Sequence, residues 1–161
     1  MERLAVVSLL LMGSIMASLA SAAEKPSQDY VIKEGSGLSH LYLGMSAEET
    51  VKVMGEPDQN LYGFVFVHNL PDGTMLSYRI ADEHVVAINL KGDAKSKYAT
   101  LRGARFGMLR NNVILLYGAP DAEAVNKVFY YSQGISFFFN DNVLYEISIV
   151  PASKAVLLRR G

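Results

Sequence analysis

The side chains that could do chemistry in this chain are few, and they are not arranged as a catalytic site. It has three histidines, His40, His68 and His84, and no cysteine. The run Asp82-Glu83-His84 could offer two carboxylates and an imidazole to a metal ion, but all three residues lie in one tight predicted turn with no second cluster. We interpret this run as a solvated turn, and we predict no metal site and no cofactor.

Nucleophilic and phosphate-binding motifs are also missing. The Gly-x-Ser-x-Gly pattern of a serine hydrolase does not occur, and Ser77 and Ser136 fall in predicted strands without a placed His–Asp pair. The run Gly35-Ser36-Gly37 lacks the lysine and the strand–helix context of a phosphate-binding loop. The absence of cysteine excludes thiol catalysis. We predict no catalytic residues and no enzyme, with a metal-dependent enzyme ranking last among the possible functions.

Charge and composition narrow the classes of partner. The 161 residues include 15 lysines and arginines against 16 aspartates and glutamates, which gives a formal net charge of −1. A nearly neutral chain without a basic cluster lacks the electrostatic pattern of nucleic-acid binding, so we predict no nucleic-acid partner. Hydrophobic residues make up 50% of the chain, which excludes disorder for most of it and indicates a packed core.

The first 23 residues have the pattern of a secretory signal peptide. A weakly positive start precedes an uncharged apolar stretch from Leu4 to Met16, and small residues follow up to Ala23. The alternative is an uncleaved membrane anchor, because the segment 4–23 is about as long as one membrane span. We expect contact with a membrane only in that second case. Both interpretations predict a location outside the cytoplasm, periplasmic or secreted.

A segment of the sequence occurs twice in similar form. Gly107 follows Gly44, and Gly118 follows Gly55, by the same offset of 63 residues, and an apolar stretch with helical character lies between the two glycines of each copy. Self-similarity at a fixed spacing predicts a structural unit that is used more than once. The residues of this structural motif are Gly44, Ser46, Glu49, Gly55 and Pro57 in the first copy, and Gly107, Gly118 and Pro120 in the second.

Each copy predicts a short helix followed by strands. Ser46 and Glu49 match a capping box at the start of the first helix, and Gly55 suits the left-handed position that ends it. In the second copy the helix runs from about 110 to 117 without the box, because Leu109 stands where Ser46 stood. Strand-like segments follow over 61–67, 74–80 and 85–90 in the first copy, and over 125–131, 135–139 and 143–150 in the second.

The predicted fold class is α+β. We expect two tandem repeats, each a short helix followed by a three- to four-stranded antiparallel meander, joined in one continuous sheet with the helices on one face. The predicted divisions are a signal peptide over 1–23, a polar lead-in over 24–37, the first repeat over 38–90, a linker over 91–98, the second repeat over 99–150 and a C-terminal tail over 151–161.

The face of the sheet that is open to water carries the first candidate binding residues. Phe138 stands where the first copy has the polar Arg79. We expect Tyr130 to be exposed, on the opposite side of its strand from Phe129, which we assign to the core because aromatic residues at period two are ordinarily sheet interior. Tyr62 is assigned to the core for the same reason. An aromatic ring on a wet sheet face is typical of a protein interface.

The loop 69–73 is the second candidate binding element. It is the longest of the predicted β connections, and it contains Asn69 and Asp72. Its Pro-Asp-Gly run is also ordinary turn chemistry, so a purely structural role stays open. The predicted partner-binding residues are therefore Arg79, Phe138, Tyr130, Asn69 and Asp72.

The pattern Gly-Met-Ser-x-x-Glu from Gly44, followed by Gly-x-Pro-Asp from Gly55, resembles the helix-plus-sheet unit of two related families. The β-lactamase inhibitory proteins have two such units in tandem, and the SmpA/OmlA (BamE-type) outer-membrane assembly lipoproteins have one. The resemblance covers about 38–150, and the duplication favours the tandem family. It implies a non-catalytic envelope protein whose sheet face and hairpin loops bind an unidentified envelope or secreted protein.

The same resemblance implies an alternative function, inhibition of a secreted hydrolase such as a β-lactamase. Two departures limit what can be carried over. The inhibitory proteins contain disulfides and the assembly lipoproteins a lipidated cysteine, and this chain has no cysteine for either. The motif residues are structural, so they specify the fold better than the activity.

Overall fold

The structure is a computed structural model that describes residues 27–153. Its fold class is α+β, as predicted, with one eight-stranded antiparallel sheet and, within that range, two α-helices. The predicted signal peptide and most of the predicted C-terminal tail lie outside the described residues. Between residues 27 and 153, neither helix has the length and apolar character needed to cross a bilayer.

The elements begin with a short 3₁₀ turn at Gln28–Tyr30. The strands and helices that follow, in chain order, are β1 (Val31–Ile32), α1 (Ala47–Met54), β2 (Gln59–Leu61), β3 (Val65–Asn69), β4 (Met75–Ala81), β5 (His84–Lys91), β6 (Ala99–Thr100), α2 (Arg110–Tyr117), β7 (Ala122–Ala124), β8 (Lys127–Tyr130), β9 (Ile135–Asn140) and β10 (Val143–Ile149).

The large sheet has the strand order β2-β3-β4-β5-β10-β9-β8-β7. Each helix is followed by four strands in meander order, and β5 pairs antiparallel with β10 at the centre, so the two meanders form one sheet. The edge strands β2 and β7 have only three residues each. Edges this short offer few unpaired backbone groups to another chain.

The two predicted strands 61–67 and 125–131 are not continuous. Each contains a hairpin turn instead, between β2 and β3 in the first case and between β7 and β8 in the second. Tyr62 turns the chain with a φ of 59°, an unusual value for a bulky residue, and Gly63 follows with 77°. Composition alone could not reveal these turns, because Tyr62 and Val125 are strand-forming residue types.

The helix ends largely follow the predicted motif. The Ser46 hydroxyl oxygen accepts a hydrogen bond from the Glu49 amide (3.2 Å), and the Glu49 carboxylate accepts one from the Ser46 amide (3.1 Å), so the capping box is confirmed. α2 has no side-chain cap, also as predicted. Gly55 and Gly118 have φ of 73° and 80°, but ψ of −167° and −164°, which is a region used almost only by glycine rather than the left-handed helical region expected.

The aspartate of each Gly-x-Pro-Asp motif forms a hydrogen bond between the two ends of a hairpin. The Asp58 carboxylate accepts a hydrogen bond from the Asn69 amide (2.6 Å), and the Asp121 carboxylate accepts one from the Ser132 amide (3.0 Å). The acceptor and donor are eleven residues apart in both cases. A charge-assisted bond to a backbone amide fixes the far end of each hairpin, which gives the motif a structural role.

The hydrophobic core lies on one face of the sheet. The Tyr117 ring of α2 contacts the rings of Tyr130 and Phe137 on this face, with centroid distances of 5.1 and 4.8 Å. α1 packs Met54 against the same buried cluster. The cluster includes Leu76, Tyr78, Ile88, Leu90, Val128, Ile135, Phe139, Leu144, Ile147 and Ile149 from the strands.

The segments predicted as a lead-in and a linker also contribute to this core. β1 pairs in parallel with β6, and the Ile32 side chain is fully buried in the core cluster. Tyr98, at the end of the predicted linker, is 4% exposed and belongs to the same cluster. Burial of these apolar side chains makes both segments part of the folded unit rather than connections outside it.

Candidate functional site

The face of the sheet opposite the core is the candidate binding surface, and we call it the outer face. The strand register defines it by three rows of directly opposed residues. The first row is Gln59, Val67, Ser77, Asn89, Ser148, Ser136, Phe129 and Ala122. The second is Asn69, Met75, Lys91, Glu146, Phe138, Lys127 and Ala124, and the third is Leu61, Val65, Arg79 and Ala87.

The first row has small polar side chains at its centre. The four central strands carry Ser77, Asn89, Ser148 and Ser136 in this row. An apolar residue flanks this group on each side, Val67 on one and Phe129 on the other. Short side chains leave the sheet backbone within reach of an approaching group. This row therefore forms the floor of the outer face.

Charged and aromatic side chains of the second row border that floor. Lys91 and Glu146 form an ion pair of 3.4 Å across the central strand pair. The Lys127 ammonium lies 5.1 Å from the centroid of the Phe138 ring, a distance typical of a cation–π contact. These contacts stay within the face and hold long side chains in place along one border.

Arg79 and Phe138, predicted as binding residues, both lie on the outer face but do not touch. They are three strand positions apart and on opposite sides of the first row. Strand geometry puts them about 14 Å apart across the strands and about 13 Å apart along them. A single small ligand cannot contact both, whereas a protein surface of ordinary interface size can.

Tyr130, predicted as an exposed binding residue, is instead buried, and that prediction is wrong. It is 1% exposed, and its hydroxyl donates a hydrogen bond to the Gly118 carbonyl (2.8 Å). The register pairs Tyr130 with the core residue Ile135 and pairs Phe129 with Ser136, which fixes Tyr130 inward. Phe129 therefore belongs to the outer face, where its ring stacks on Tyr131 with centroids 5.2 Å apart.

Asp72, the second loop candidate, has its carboxylate engaged within the molecule. One oxygen accepts a hydrogen bond from the Thr74 amide (3.0 Å) and the other from the Lys97 amide (3.1 Å). Burial alone would raise the pKa of Asp72, but these amide donors outweigh it and lower the pKa. Asn69 is also engaged, since its amide groups donate to the Asp58 carboxylate. Both residues therefore stabilise the β3–β4 loop region, and Asn69 also lies at the exposed end of the second row.

The histidines have structural surroundings. His68 is 7% exposed with its ring 5.7 Å from that of Tyr78, and burial lowers its pKa. The His84 Nδ1 atom lies 2.6 Å from the Asp82 carbonyl oxygen in the turn before β5. From residue 27 to 153, no group of three or more His, Cys, Asp or Glu side chains is placed to hold a metal ion.

Two hairpin tips expose apolar side chains that sequence reasoning did not identify. Tyr62 is 86% exposed and stacks on Phe64, and Val125 at the other tip is 97% exposed. The β7–β8 tip is held by Arg110, whose guanidinium donates to the Val125 carbonyl (2.7 Å) and to the Glu123 carboxylate (2.8 Å). The sequence contains one indication of this second tip. The first residue of α2 is Arg110, whose side chain holds the tip, whereas the first residue of α1 is Ala47.

Comparison with known proteins gives one structural likeness. No family model matches this chain, and no curated protein matches it. Its structure is similar to that of an extracellular protein containing an SCP domain from Bacillus anthracis str. Ames, solved at 1.5 Å resolution. The sequence identity is 13% and the TM-score is 0.48. The similar region covers 73% of this chain and 46% of that chain.

Proposed function

We propose that this protein is a non-catalytic binding protein that acts outside the cytoplasm and contacts a protein partner through its outer face. The observation that carries the proposal is the asymmetry of the sheet. Helix α2, Met54 of α1, and buried side chains of the connecting segments pack on the core face, while the opposite face presents ordered charged and aromatic side chains around a polar floor. Aromatic and arginine side chains of this kind carry much of the binding energy in protein interfaces.

The shape of the outer face favours a partner with a protruding surface. The small side chains of Ser77, Asn89 and Ser148 lie between longer ones, with Lys91 and Phe138 on one border. A side chain or loop of the partner can reach the floor and meet hydroxyl and amide groups there. The Phe138 ring at the border and the Phe129 ring at one end of the floor then supply apolar contact area around a polar centre.

The charge of the outer face favours an acidic partner. Its three rows contain Arg79, Lys91 and Lys127 against a single carboxylate, that of Glu146, although the whole chain has a net charge of −1. A local excess of positive charge on a nearly neutral protein steers association toward a negatively charged surface and makes the association rate depend on salt.

We also infer that the chain consists of two tandem copies of one unit, which it shares with the inhibitory proteins and assembly lipoproteins that its motif resembles. Equivalent hydrogen bonds support this inference: the Gly44 amide donates to the Val85 carbonyl (2.8 Å), and the Gly107 amide donates to the Leu144 carbonyl (2.9 Å). The β4–β5 and β9–β10 turns have the same pair of φ values, 48° and 63°. Duplication accounts for an outer face whose two halves have similar positions but different residues.

Photocrosslinking in the native envelope tests the proposed binding face. A photoreactive residue at Phe138 reports on the outer face, and one at Leu115, which is 82% exposed on α2, is the matched control on the other side of the molecule. We expect a specific protein adduct from position 138 and none from position 115. Adducts from position 115 alone, or from neither position nor from a third probe at Arg79, would contradict the proposal.

The same experiment distinguishes simple binding from the alternative function that the resemblance implies, which is inhibition of a secreted hydrolase. If the captured partner is a secreted hydrolase, its activity is measured with and without the purified protein at micromolar concentration. Inhibition that is lost on Phe138→Asp would assign the outer face to enzyme inhibition. An unaffected hydrolase, or a captured partner that is not an enzyme, leaves a binding function without inhibition.

A further inference from the structure

Three small polar side chains lie next to one another at the centre of the outer face. The register places Asn89 of β5 directly between Ser77 of β4 and Ser148 of β10. Neighbouring strands are about 4.8 Å apart, so the three residues span about 10 Å across the middle of the sheet. All three are half-buried, which leaves part of each side chain open to solvent.

None of these three side chains has a hydrogen-bond partner among residues 27–153. Polar side chains elsewhere in the sheet and its loops are engaged within the molecule. The Ser132 hydroxyl donates to the Asp121 carboxylate (2.9 Å), and the Thr74 and Ser96 hydroxyls lie 2.7 Å apart. The centre of the outer face therefore keeps a group of neighbouring hydroxyl and amide groups available to a partner.

Two cations flank these polar groups, one on each side. Lys91 follows Asn89 by two residues on β5, and Arg79 follows Ser77 by two residues on β4, so both belong to the outer face. Because β4 and β5 are antiparallel, Lys91 and Arg79 lie on opposite sides of the floor. The nearest carboxylate of the three rows is that of Glu146, 3.4 Å from the Lys91 ammonium. The charge around the polar groups is therefore positive.

This combination of groups suits an anion. Ammonium, guanidinium, amide and hydroxyl groups can all donate hydrogen bonds, and one carboxylate can accept several of them at once. A cationic group would be repelled by Lys91 and Arg79, and an apolar group would remove water from the donors without replacing it. Carboxylate is the anion that an unmodified protein surface carries on its side chains.

We propose that the outer face has a carboxylate site at its centre, which receives an aspartate or glutamate side chain from a protruding loop of the partner. The site consists of Ser77, Asn89, Ser148 and Lys91. On binding, the Lys91 ammonium turns from Glu146 to the incoming carboxylate, and the amide and hydroxyl groups donate to its oxygens.

Glu146 has a distinct role in this site, as an internal competitor. It holds Lys91 in the free protein, and it disfavours surfaces that offer no carboxylate at the right place. Its side chain is 15% exposed against 47% for Lys91, so the lysine is the member of the pair that is free to move. The inference rests on the proposed function, since it names the group that the outer face recognises in its partner.

Zero-length crosslinking with a carbodiimide tests this proposal, because the reagent joins an amine to a carboxylate that contacts it. The probe is the protein captured at Phe138, mixed with the purified full chain. In the free chain we expect a crosslink between Lys91 and Glu146. With the probe present, we expect a crosslink from Lys91 to an aspartate or glutamate of the probe instead. The exposed pair Lys52 and Glu48 on α1, 2.6 Å apart, is the matched control and should crosslink equally in both samples.

Two results of this experiment would overturn the proposal. The first is a probe that binds while the crosslink between Lys91 and Glu146 stays unchanged. The second is a crosslink from Lys91 to the C-terminal carboxylate of the probe, which would assign the site to a chain end rather than to a side chain.

The affinity of variants for the same probe gives an independent test. Asn89→Asp puts a carboxylate into the site and should weaken binding about tenfold or more, because it repels the incoming carboxylate. Glu146→Gln removes the competitor and should strengthen binding about threefold, and this gain should vanish in a chain that also carries Lys91→Met. Asn111→Asp, on an exposed residue of α2, is the matched control and should bind like the natural chain.

The carboxylate site and the binding face can fail separately. If Phe138→Asp weakens binding while Asn89→Asp and Glu146→Gln leave it unchanged, the outer face stands as the binding surface and the carboxylate site is wrong. If no outer-face variant changes the affinity, both are wrong. Should Asn89→Asp fail to fold, Glu146→Gln with and without Lys91→Met still decides the matter, because both residues lie on the border rather than on the floor.

Discussion

Removal of the Tyr117 hydroxyl should destabilise the protein, because this group joins α2 to the N-terminal segment. The hydroxyl donates a short hydrogen bond to the Glu34 carboxylate across 83 residues of sequence. Burial, with the Glu34 carboxylate as the second cause, raises the pKa of Tyr117 well above its usual range, so the phenol stays protonated and remains a donor at all ordinary pH values. A hydrogen bond to a charged acceptor contributes about 1.5–3 kcal/mol.

The expected loss on Tyr117→Phe is about 1.5–2 kcal/mol, near the lower end of that range because Glu34 is only half-buried and water can replace the donor. The ring contacts with Tyr130 and Phe137 are retained in this variant, so the loss reports on the interactions of the hydroxyl, which are the bond to Glu34 and a contact with the Thr100 side chain. Urea unfolding followed by circular dichroism measures the free energy of unfolding. Tyr131→Phe, on the outer face, is the matched control and should change it by less than about 0.5 kcal/mol.

A double-mutant cycle sharpens this prediction. Glu34→Gln keeps an acceptor but removes the charge, and combining it with Tyr117→Phe should cost less than the sum of the two single changes. A coupling energy of about 1 kcal/mol or more is expected. If Tyr117→Phe unfolds with the same free energy as Tyr131→Phe, or if the two losses simply add, the N-terminal segment is not held by this bond and the reasoning is refuted.

Three further changes follow from the described contacts, each measured by urea unfolding. Ser46→Ala removes the capping hydroxyl of α1 and should cost about 1 kcal/mol, and no loss would contradict the cap. The lowered pKa of His68 means that its neutral form is favoured in the fold. Its contribution to stability is therefore complete above about pH 6.5 and falls as the pH drops below that value. His68→Phe should flatten the dependence of the free energy of unfolding on pH between pH 7.5 and 5.5. Gly107→Ala should cost more than Gly44→Ala, because both have positive φ but only at Gly107 would a new Cβ lie 2.8 Å from that of Ala94; equal losses would rule out the clash.

The local features of the fold could be predicted because they depend on residues close in sequence. Ser46 and Glu49 are three residues apart, so a capping box is visible without any tertiary information. The α+β class followed in the same way from a helical pattern and strand-like segments of alternating character. The central pairing of β5 with β10 joins segments about 60 residues apart, and only the self-similarity of the sequence indicated that the two halves form one sheet.

The placement of side chains on the two faces depended on register, which the sequence does not state. Phe129, Tyr130 and Tyr131 are three consecutive aromatic residues, so alternation allows either face for Tyr130. The pairing of Tyr130 with Ile135 decides the matter, and that pairing depends on the length of the turn between β8 and β9. Tyr62 was assigned to the core for a related reason, since a tyrosine with positive φ at a turn is rare enough that strand propensity suggested the wrong position.

The cavity lined by Asp29, Asp72 and Tyr98 could not be predicted, because its residues come from three distant segments. Asp29, Asp72 and Tyr98 each have an ordinary local sequence, and none belongs to a recognised binding motif. Hydrogen bonds between segments bring them together, and those bonds involve backbone amides that any residue can supply. Sites of this kind become visible only when tertiary contacts are known.

The most direct test of the proposed binding face is the affinity of the purified protein for the partner captured at Phe138, measured for paired variants. Phe138→Asp places a carboxylate in the border of the outer face, and Leu115→Asp makes the same change on the exposed side of α2. Phe138→Asp should weaken binding about 30-fold or more, the loss of an interface hot spot of about 2 kcal/mol, while Leu115→Asp leaves the affinity unchanged. Equal affinities for the two variants, or a loss confined to Leu115→Asp, would contradict the assignment of the outer face as the binding surface.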